Sequence, residues 1–358
     1  MSLMIIIAYS VAFFFAMNIG ASGAAASMGI AYGAGAVPRR RWALLLCGIG
    51  VFLGAVFGGG EVVKTIGSGL IPSSLITVKL AVIILSSAAL SLFLANLLGI
   101  PLSTSEVTVG AVIGAGIAFQ SFYAKKLLVV VSFWVLVPAA AFLLALAAGK
   151  CAAYLEGRRF RRPGWKKGLT FLLAGAGFLE AVSAGANNVA NSVGPLVGAG
   201  LISVNQGVIF GGAFVALGAV LMGGKVLETN GKRITDITLL EGTSISATGG
   251  ALVLAASFMG MPVPLTQVTT SAIIGIGTVK RGMSIWQKRV IVQMMKVWLV
   301  SPVISLVIAY GLVKVLIDGD LYSLIVVSSV FIATVGTISL WQSVRRERRS
   351  LHEHGGGI

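Results

Sequence analysis

Acidic side chains are rare in this chain. Aspartate and glutamate number 11 against 27 lysines and arginines, and charged residues of both signs make up 11% of the sequence. A soluble domain carries roughly 25%, so an ordinary water-facing surface cannot be built from this composition. Histidine occurs only as His352 and His354, which leaves no imidazole relay in the body of the protein and no Ser/His/Asp or Cys/His constellation for an enzyme. Cys47 and Cys151 fit neither a disulfide framework nor a metal spacing and read as core fillers. No metal and no organic cofactor is called for. The net charge of +16 does not point to nucleic acid either, because no basic stretch is interleaved with aromatics.

What is abundant is apolar surface, at 57% of residues, in continuous runs long enough to cross a hydrocarbon core at about 20 residues each. The runs do not alternate, which favours helices over a barrel. The expected fold is all-α and polytopic, with spans at roughly 3–37, 42–60, 75–98, 101–120, 127–149, 169–200, 205–223, 237–257, 262–279, 286–317 and 321–341. The opening MSLMIIIAYSVAFFFAM lacks a basic n-region and reads as a retained first span rather than a signal peptide. With the N-terminus outside, the inner loops collect Arg39 to Arg41, seven basic residues from Lys150 to Lys167, three from Lys225 to Arg233, four from Lys280 to Arg289 and four from Arg345 to Arg349. That is 21 of the 27. The positive-inside bias then sets a multi-pass protein of the plasma (inner) membrane with a cytoplasmic C-terminus, and the run RRFRRPGWKK is a loop that holds topology.

The chain repeats itself. LGAVFGGGEVVK (Leu53 to Lys64) matches LGAVLMGGKVLE (Leu217 to Glu228), GIPLSTSEVTVGAVIGAGIA (Gly99 to Ala118) matches GMPVPLTQVTTSAIIGIGTV (Gly260 to Val279), and GASGAAASMG (Gly20 to Gly29) lies over GANNVANSVG (Gly185 to Gly194). Five spans per repeat is an odd number, so the second repeat must run through the membrane in the opposite sense. Inverted repeats with discontinuous, re-entrant-like helices and a midplane site are the architecture of secondary transporters. The organisation expected is a first repeat at 1–149, a basic cytoplasmic linker at 150–168, a second repeat at 169–317, and a final span with a basic tail at 318–358.

Two motif pairs carry the chemistry. Asn187, Asn188, Asn191 and Ser192 cannot face hydrocarbon unpaired and must meet protein, water or substrate, while the glycines around them let the backbone unwind or let helices approach. Helix-packing glue is the plainer alternative. Against it, small and hydroxylated residues recur at the same repeat positions as Ser22 and Ser27. In the second pair, Pro101 to Glu106 and Pro262 to Thr270, proline stands where a helix would begin, so the next backbone N–H groups are free. Hydroxyls of Ser103, Thr104, Ser105, Thr266, Thr269 and Thr270 crowd that positive helix end, an anion cradle in duplicate. Ordinary capping is the alternative, and it needs one hydroxyl per helix rather than three in a row.

On these residues the sequence resembles the inorganic phosphate transporter (PiT) family, whose halves each carry a G-A-N-D-V-A-N type signature and a P-V-S-T-T-H type element. Here the second signature reads Gly185-Ala186-Asn187-Asn188-Val189-Ala190-Asn191 and the first element Pro101 to Glu106. The resemblance covers essentially the whole chain and implies that the four elements surround a tetrahedral oxyanion, with signature aspartates and asparagines holding sodium in the sodium-coupled members. The departures are specific. The signature aspartate is Asn188 in one half and Gly23 in the other, and the two first-half asparagines are Ser22 and Ala26. Protonated phosphate profits from a carboxylate acceptor, whereas sulfate has no proton to donate, so a donor-only site suits a full dianion. The chain is therefore similar to the sulfate permease branch, with sulfate as leading substrate. Phosphate is the runner-up, and thiosulfate, selenate and molybdate are not separated from sulfate.

Import of a dianion against an inside-negative potential costs about 2.3 kcal/mol per charge per 100 mV, so a coupling ion is required. Without the anionic sodium ligands the expected ion is the proton, carried on an intramembrane carboxylate: Glu106 first, then Glu180 and Glu241. Glu106 follows the hydroxyl cradle directly and is expected to take up a proton as the anion arrives. A structural carboxylate satisfied by Lys79 or a backbone N–H is the alternative for it. An anion channel would use similar groups, but duplicated cradles converging at a midplane describe one occluded site. The partners expected are the oxyanion, the coupling proton and the bilayer, and the apolar surface is compatible with a homo-oligomer.

Overall fold

The computed structural model describes residues 2–97, 102–158, 163–233, 237–282, 289–322, 325–326 and 329. Among them there is no strand. Helix α1 (Leu3–Ile19) continues through a π-helical stretch, Gly20–Ala24, and a 3-10 turn, Ala25–Met28, into the short α2 (Gly29–Gly33). Next come α3 (Arg40–Gly58), α4 (Gly60–Lys64) with a π-helical turn at Thr65–Gly69, α5 (Val78–Leu97), α6 (Thr104–Ala118) and α7 (Ala124–Arg158). The second half holds α8 (Pro163–Gly198), α9 (Val204–Met222), α10 (Gly224–Arg233), α11 (Leu239–Phe258), α12 (Leu265–Arg281) and α13 (Arg289–Leu316).

The expected spans from 42–60 to 286–317 each overlap one long helix, while 3–37 covers α1, the π-helical and 3-10 stretch and α2. The span at 321–341 and the tail behind it lie almost wholly outside the described residues, and so does Pro101. Six stretches are long and apolar enough to cross a membrane: Leu3–Gly33, Arg40–Gly58, Ala124–Tyr154, Trp165–Gly198, Val204–Met222 and Leu239–Phe258. Shorter apolar helices cover Val78–Phe93, Thr104–Ala118 and Val300–Leu316. The protein is a multi-pass membrane protein. The basic linker departs from the expected loop, since α7 runs to Arg158 and α8 starts at Pro163. Alanine, leucine and lysine flank the arginines there and are good helix formers, so both helices run into the basic segment.

Helix starts are set by capping. Ser103 caps α6 by accepting from the Glu106 backbone N–H, and Ser203 with Gln206 and Thr238 with Glu241 form reciprocal capping boxes on α9 and α11. Unwinding, expected around the glycine-rich motifs in both halves, occurs in one only. The first-half copy is π and 3-10, whereas α8 passes through Gly185 to Gly194 as one 36-residue helix. Its glycines serve close packing instead: a Cβ at Gly185 would overlap the Val51 carbonyl of α3, and one at Gly194 would strike the Ile66 side chain.

The packing partners exchange between halves. α1 packs on α9 as α8 packs on α3; α6 on α13 as α12 on α7; α1 on α5 as α8 on α11; and α5 on α6 as α11 on α12. Repeat-aligned glycines make the closest crossings. Gly54 of α3 faces the Val182 carbonyl while Gly218 of α9 faces the Met17 carbonyl; Gly185 faces Val51 while Gly20 faces Val215. Gly114 on α6 and Gly275 on α12 likewise meet the carbonyls of Leu306 and Phe142, each one turn beyond an interior proline, Pro302 and Pro138.

These contacts predict opposite effects for glycine-to-alanine changes within one helix. Gly185→Ala forces a methyl into backbone and should destabilise by about 1–3 kcal/mol, with Gly54→Ala behaving alike. Gly175→Ala meets no atom within 4 Å and should be neutral or stabilising by up to about 1 kcal/mol. Thermal unfolding of the detergent-solubilised protein checks the sign.

Candidate functional site

On α8, Glu180, Ala184, Asn187 and Asn191 fall at i, i+4, i+7 and i+11 and so share one face. Asn188 lies one step round, toward the first-half break. That face meets the N-terminus of α6 and the Met261–Val263 segment that follows α11. All three asparagines are buried.

Asn187 is saturated. Its Nδ2 donates to Ser257 Oγ (3.0 Å) and to the Met261 carbonyl (3.0 Å), and its Oδ1 accepts from Ser105 Oγ (3.2 Å) and the Val263 backbone N–H (3.1 Å). Four bonds are the full capacity of a side-chain amide. It therefore clasps α8, α11, the following segment and α6 together, and offers nothing further to a ligand. The single Ser105 hydroxyl hydrogen is shared between Asn187 Oδ1 and the Val263 carbonyl, 3.3 Å away.

Its neighbours are more loosely held. Thr104 Oγ1 donates to Asn188 Oδ1 at 3.0 Å, while Asn191 Nδ2 has only 3.4 Å approaches to Thr104 Oγ1, Ser105 Oγ and Asn188 Oδ1. Such lengths lie beyond the usual 2.7–3.2 Å. Asn191 Oδ1 is buried without a partner among the described residues. Asn188 Nδ2 bonds to none of them either, and it faces Gly23, where an added Cβ would stand 3.9 Å from it and near nothing else. The amide and hydroxyl groups of Asn188, Asn191, Thr104 and Ser105 thus form a buried knot with open hydrogen-bond capacity beside a gap. No carboxylate is among its hydrogen-bonding groups.

The other predicted residues lie around this knot in different ways. Ser103 is the cap of α6. Ser22, half-buried opposite α8, donates to the Asn18 carbonyl at 2.8 Å, and Ser192 donates to Val189 within its own helix at 3.0 Å. Thr266 and Thr270 are half-buried and bond to no described residue through their side chains. Thr269 goes elsewhere, donating to Glu180 Oε1 at 2.6 Å.

The three carboxylates separate. Glu180, 2% exposed, keeps Oε2 buried and unpartnered among the described residues, with the unpartnered Ser246 hydroxyl beside it. It lies about 10 Å along the α8 axis from Asn187. Glu106 does not face the knot. Thr104 and Ser105 turn toward α8, and one further step of about 100° swings Glu106 toward α12 and α13, where Gln267 Nε2 donates to its Oε1. Lys79, the alternative partner, donates instead to the Leu316 carbonyl. Glu241 is the acceptor of the α11 capping box and pairs with Lys280 at 2.7 Å, so it is a helix-end anchor.

Sequence reasoning missed Ser257, the Met261 carbonyl and the Val263 N–H as ligands of Asn187; backbone groups leave no trace in residue identity. Gln267 had a trace, because the repeat alignment sets it opposite Glu106. Of the two expected core fillers Cys151 is exposed and Cys47 is buried, and the Cys47 thiol also donates to the Ala24 carbonyl at 3.2 Å, tying α3 to the first-half break.

Known proteins share this architecture. The profile described as phosphate transporter family matches residues 19–167 and again 156–309. The chain is 56% identical to the sulfate permease CysP of Bacillus subtilis (strain 168), covering 96% of this chain and 97% of that one. It is 29% identical to a putative phosphate permease of Pyrococcus furiosus, covering 85% and 94%. A solved structure titled as the sodium-dependent phosphate transporter superposes with a TM-score of 0.77 at 22% identity, covering 88% of this chain and 99% of that chain. The two profile matches fall on the two halves whose helices exchange packing partners, and the chain belongs to the phosphate transporter family.

Proposed function

We propose that this protein is a secondary active importer of an inorganic oxyanion, with sulfate as substrate and the proton as coupling ion. The observation that carries the reading is the buried knot of Asn188, Asn191, Thr104 and Ser105. It presents amide and hydroxyl groups with open capacity next to the gap at Gly23, and has no carboxylate among its partners. A dianion that never offers a proton is matched by the free Nδ2 hydrogens of Asn188 and the loosely held Nδ2 hydrogens of Asn191, and a carboxylate would repel it. The relative named a sulfate permease supports the same substrate. The exchange of helix partners between halves supports inverted repeats and alternating access about the knot, with the N-terminus outside.

For coupling, the geometry favours Glu180 over Glu106. Glu180 shares the α8 face of Asn187 and Asn191, has one unpartnered oxygen, and reaches α12 through Thr269. Movement of α12 against α8 would alter its proton affinity and the knot together. Glu106 is directed away from the knot and stands second, and Glu241 is withdrawn by its capping and ion-pair bonds. The primary experiment is uptake of labelled sulfate into proteoliposomes under sodium or proton gradients, challenged with phosphate. Saturable, uphill, proton-driven sulfate uptake is expected; sodium dependence, or stronger displacement by phosphate than by sulfate, overturns the reading.

Four variants refine it. Asn188→Asp adds a negative charge at the gap and should weaken sulfate binding at least about 10-fold, equivalent to about 1.4 kcal/mol, while phosphate inhibition rises; competition binding measures both. Asn187→Ala leaves Ser105, Val263 and Met261 without their partner and should lower stability by about 1–3 kcal/mol with sulfate selectivity unchanged. Asn191→Ala, which breaks only long bonds, should reduce affinity at little cost in unfolding temperature. The sign for pH follows from linkage: if proton and sulfate bind together, acid tightens sulfate binding and sulfate favours protonation. Between roughly pH 8 and roughly pH 5.5, sulfate affinity should increase in the native protein. In Glu180→Gln, which resembles the protonated acid, binding should persist, lose its pH dependence and fail to drive accumulation. Full proton-driven accumulation in that variant would move the role to Glu106.

A further inference from the structure

A cavity of about 630 Å³ lies between α6, α7 and α13 and reaches α12 at its floor. Trp134 of α7 and Trp298 of α13 form its walls, and Val131, Val135 and Val303, exposed at 40%, 66% and 54%, stand at its mouth. In a membrane-spanning chain that mouth opens sideways into hydrocarbon. The back wall is preformed, because Gly110 and Gly114 of α6 sit against the backbone of Pro302 and Leu306.

Two polar side chains, Glu106 and Gln267, line this otherwise apolar space. Gln267 Nε2 already donates to Glu106 Oε1. Glu106 Oε2 is buried and has no partner among the described residues, in a side chain that is 1% exposed. The Ser301 hydroxyl lies beside the same carboxylate and is also unpartnered. An acceptor held at the end of an apolar cleft is matched by a donor that arrives on an apolar body. Sulfate does not suit the cleft, since the floor is a carboxylate that repels an anion and the rest of the lining is largely apolar.

We propose that this cleft binds an amphiphile from the bilayer with an apolar chain and one hydrogen-bond-donating head, a long-chain primary amine being the simplest case. The head meets Glu106 Oε2 and the chain lies between Trp134 and Trp298. Both the volume, within the roughly 300–1,000 Å³ of small-molecule sites, and the apolar lining with few polar groups fit such a ligand. Binding here is independent of which oxyanion the protein carries and of whether Glu180 couples.

The test uses the full-length protein in lipid nanodiscs and reads tryptophan emission while 11-bromoundecylamine is added, its bromine acting as a contact quencher. Saturable quenching is expected, reduced in Trp134→Phe and Trp298→Phe, and weakened about 10-fold in Glu106→Gln. The same probe with a carboxylate head, 11-bromoundecanoate, should bind at least about 10-fold more weakly. Val131→Phe and Val303→Phe, which fill the mouth without touching the floor, should abolish the saturable phase. Quenching that rises linearly with amphiphile, ignores the head group, or survives both the filled mouth and Glu106→Gln is ordinary bilayer contact and overturns the site. Absence of quenching, as when a second copy of the chain covers the cleft, overturns it too. Because the readout is fluorescence, failure here is separable from failure of sulfate transport.

Discussion

Asn187 uses both amide hydrogens and both carbonyl lone-pair positions on protein partners. In hydrocarbon, an unpaired polar group costs several kcal/mol, so the four groups bound to it are arranged as much by its presence as it is by theirs. α6 can bring Thr104 and Ser105 to Asn188 and Asn191 only because Ser105 is fixed by Asn187, and the Met261–Val263 segment can run past α8 only because its carbonyl and N–H are met there. A single saturated amide thus creates the frame in which neighbouring amides are held with open hydrogen-bond capacity. The division of labour between adjacent residues follows from helix rotation, since one step of about 100° turns a side chain from one neighbour to another.

The same rotation separates what was readable in the sequence from what was not. Apolar runs, repeats and the polar signature are properties of residue identity at a given spacing, and they located the helices and the Asn187 to Asn191 cluster. Pro101-to-Glu106 was legible as a helix start with hydroxyls, and Ser103 does cap α6. Which way Glu106 points was not legible, because adjacency along the chain at a helix N-terminus says little about adjacency in space. Nor could glycine be assigned between unwinding and packing. Gly20 to Ala24 and Gly185 to Gly194 look alike in composition, and Gly20 and Gly185 both sit against a neighbouring backbone carbonyl, yet the first stretch is π-helical and the second stays in α8.

The close crossings have an energetic logic particular to lipid. Helices in a membrane gain little from hiding apolar surface, and glycine lets backbones come near enough for dispersion to act. Here the closest approaches fall at repeat-aligned positions, Gly54 with Gly218 and Gly114 with Gly275. Each half therefore grips the other through equivalent surfaces. The symmetry is incomplete where the first-half signature is π and 3-10, and that is where Asn188 finds Gly23 instead of a second amide or acid.

Helix α8 also works as a ruler. Its 36 residues measure about 54 Å, far more than the roughly 30 Å of a hydrocarbon core. Counting back from Gly198, Asn187 lies 11 residues or about 16 Å in, close to half the thickness of that core. The asparagines of the knot are thus carried on an unbroken rod rather than on a loop. A loop can drift by several ångströms as lipid composition changes; a rod cannot shorten.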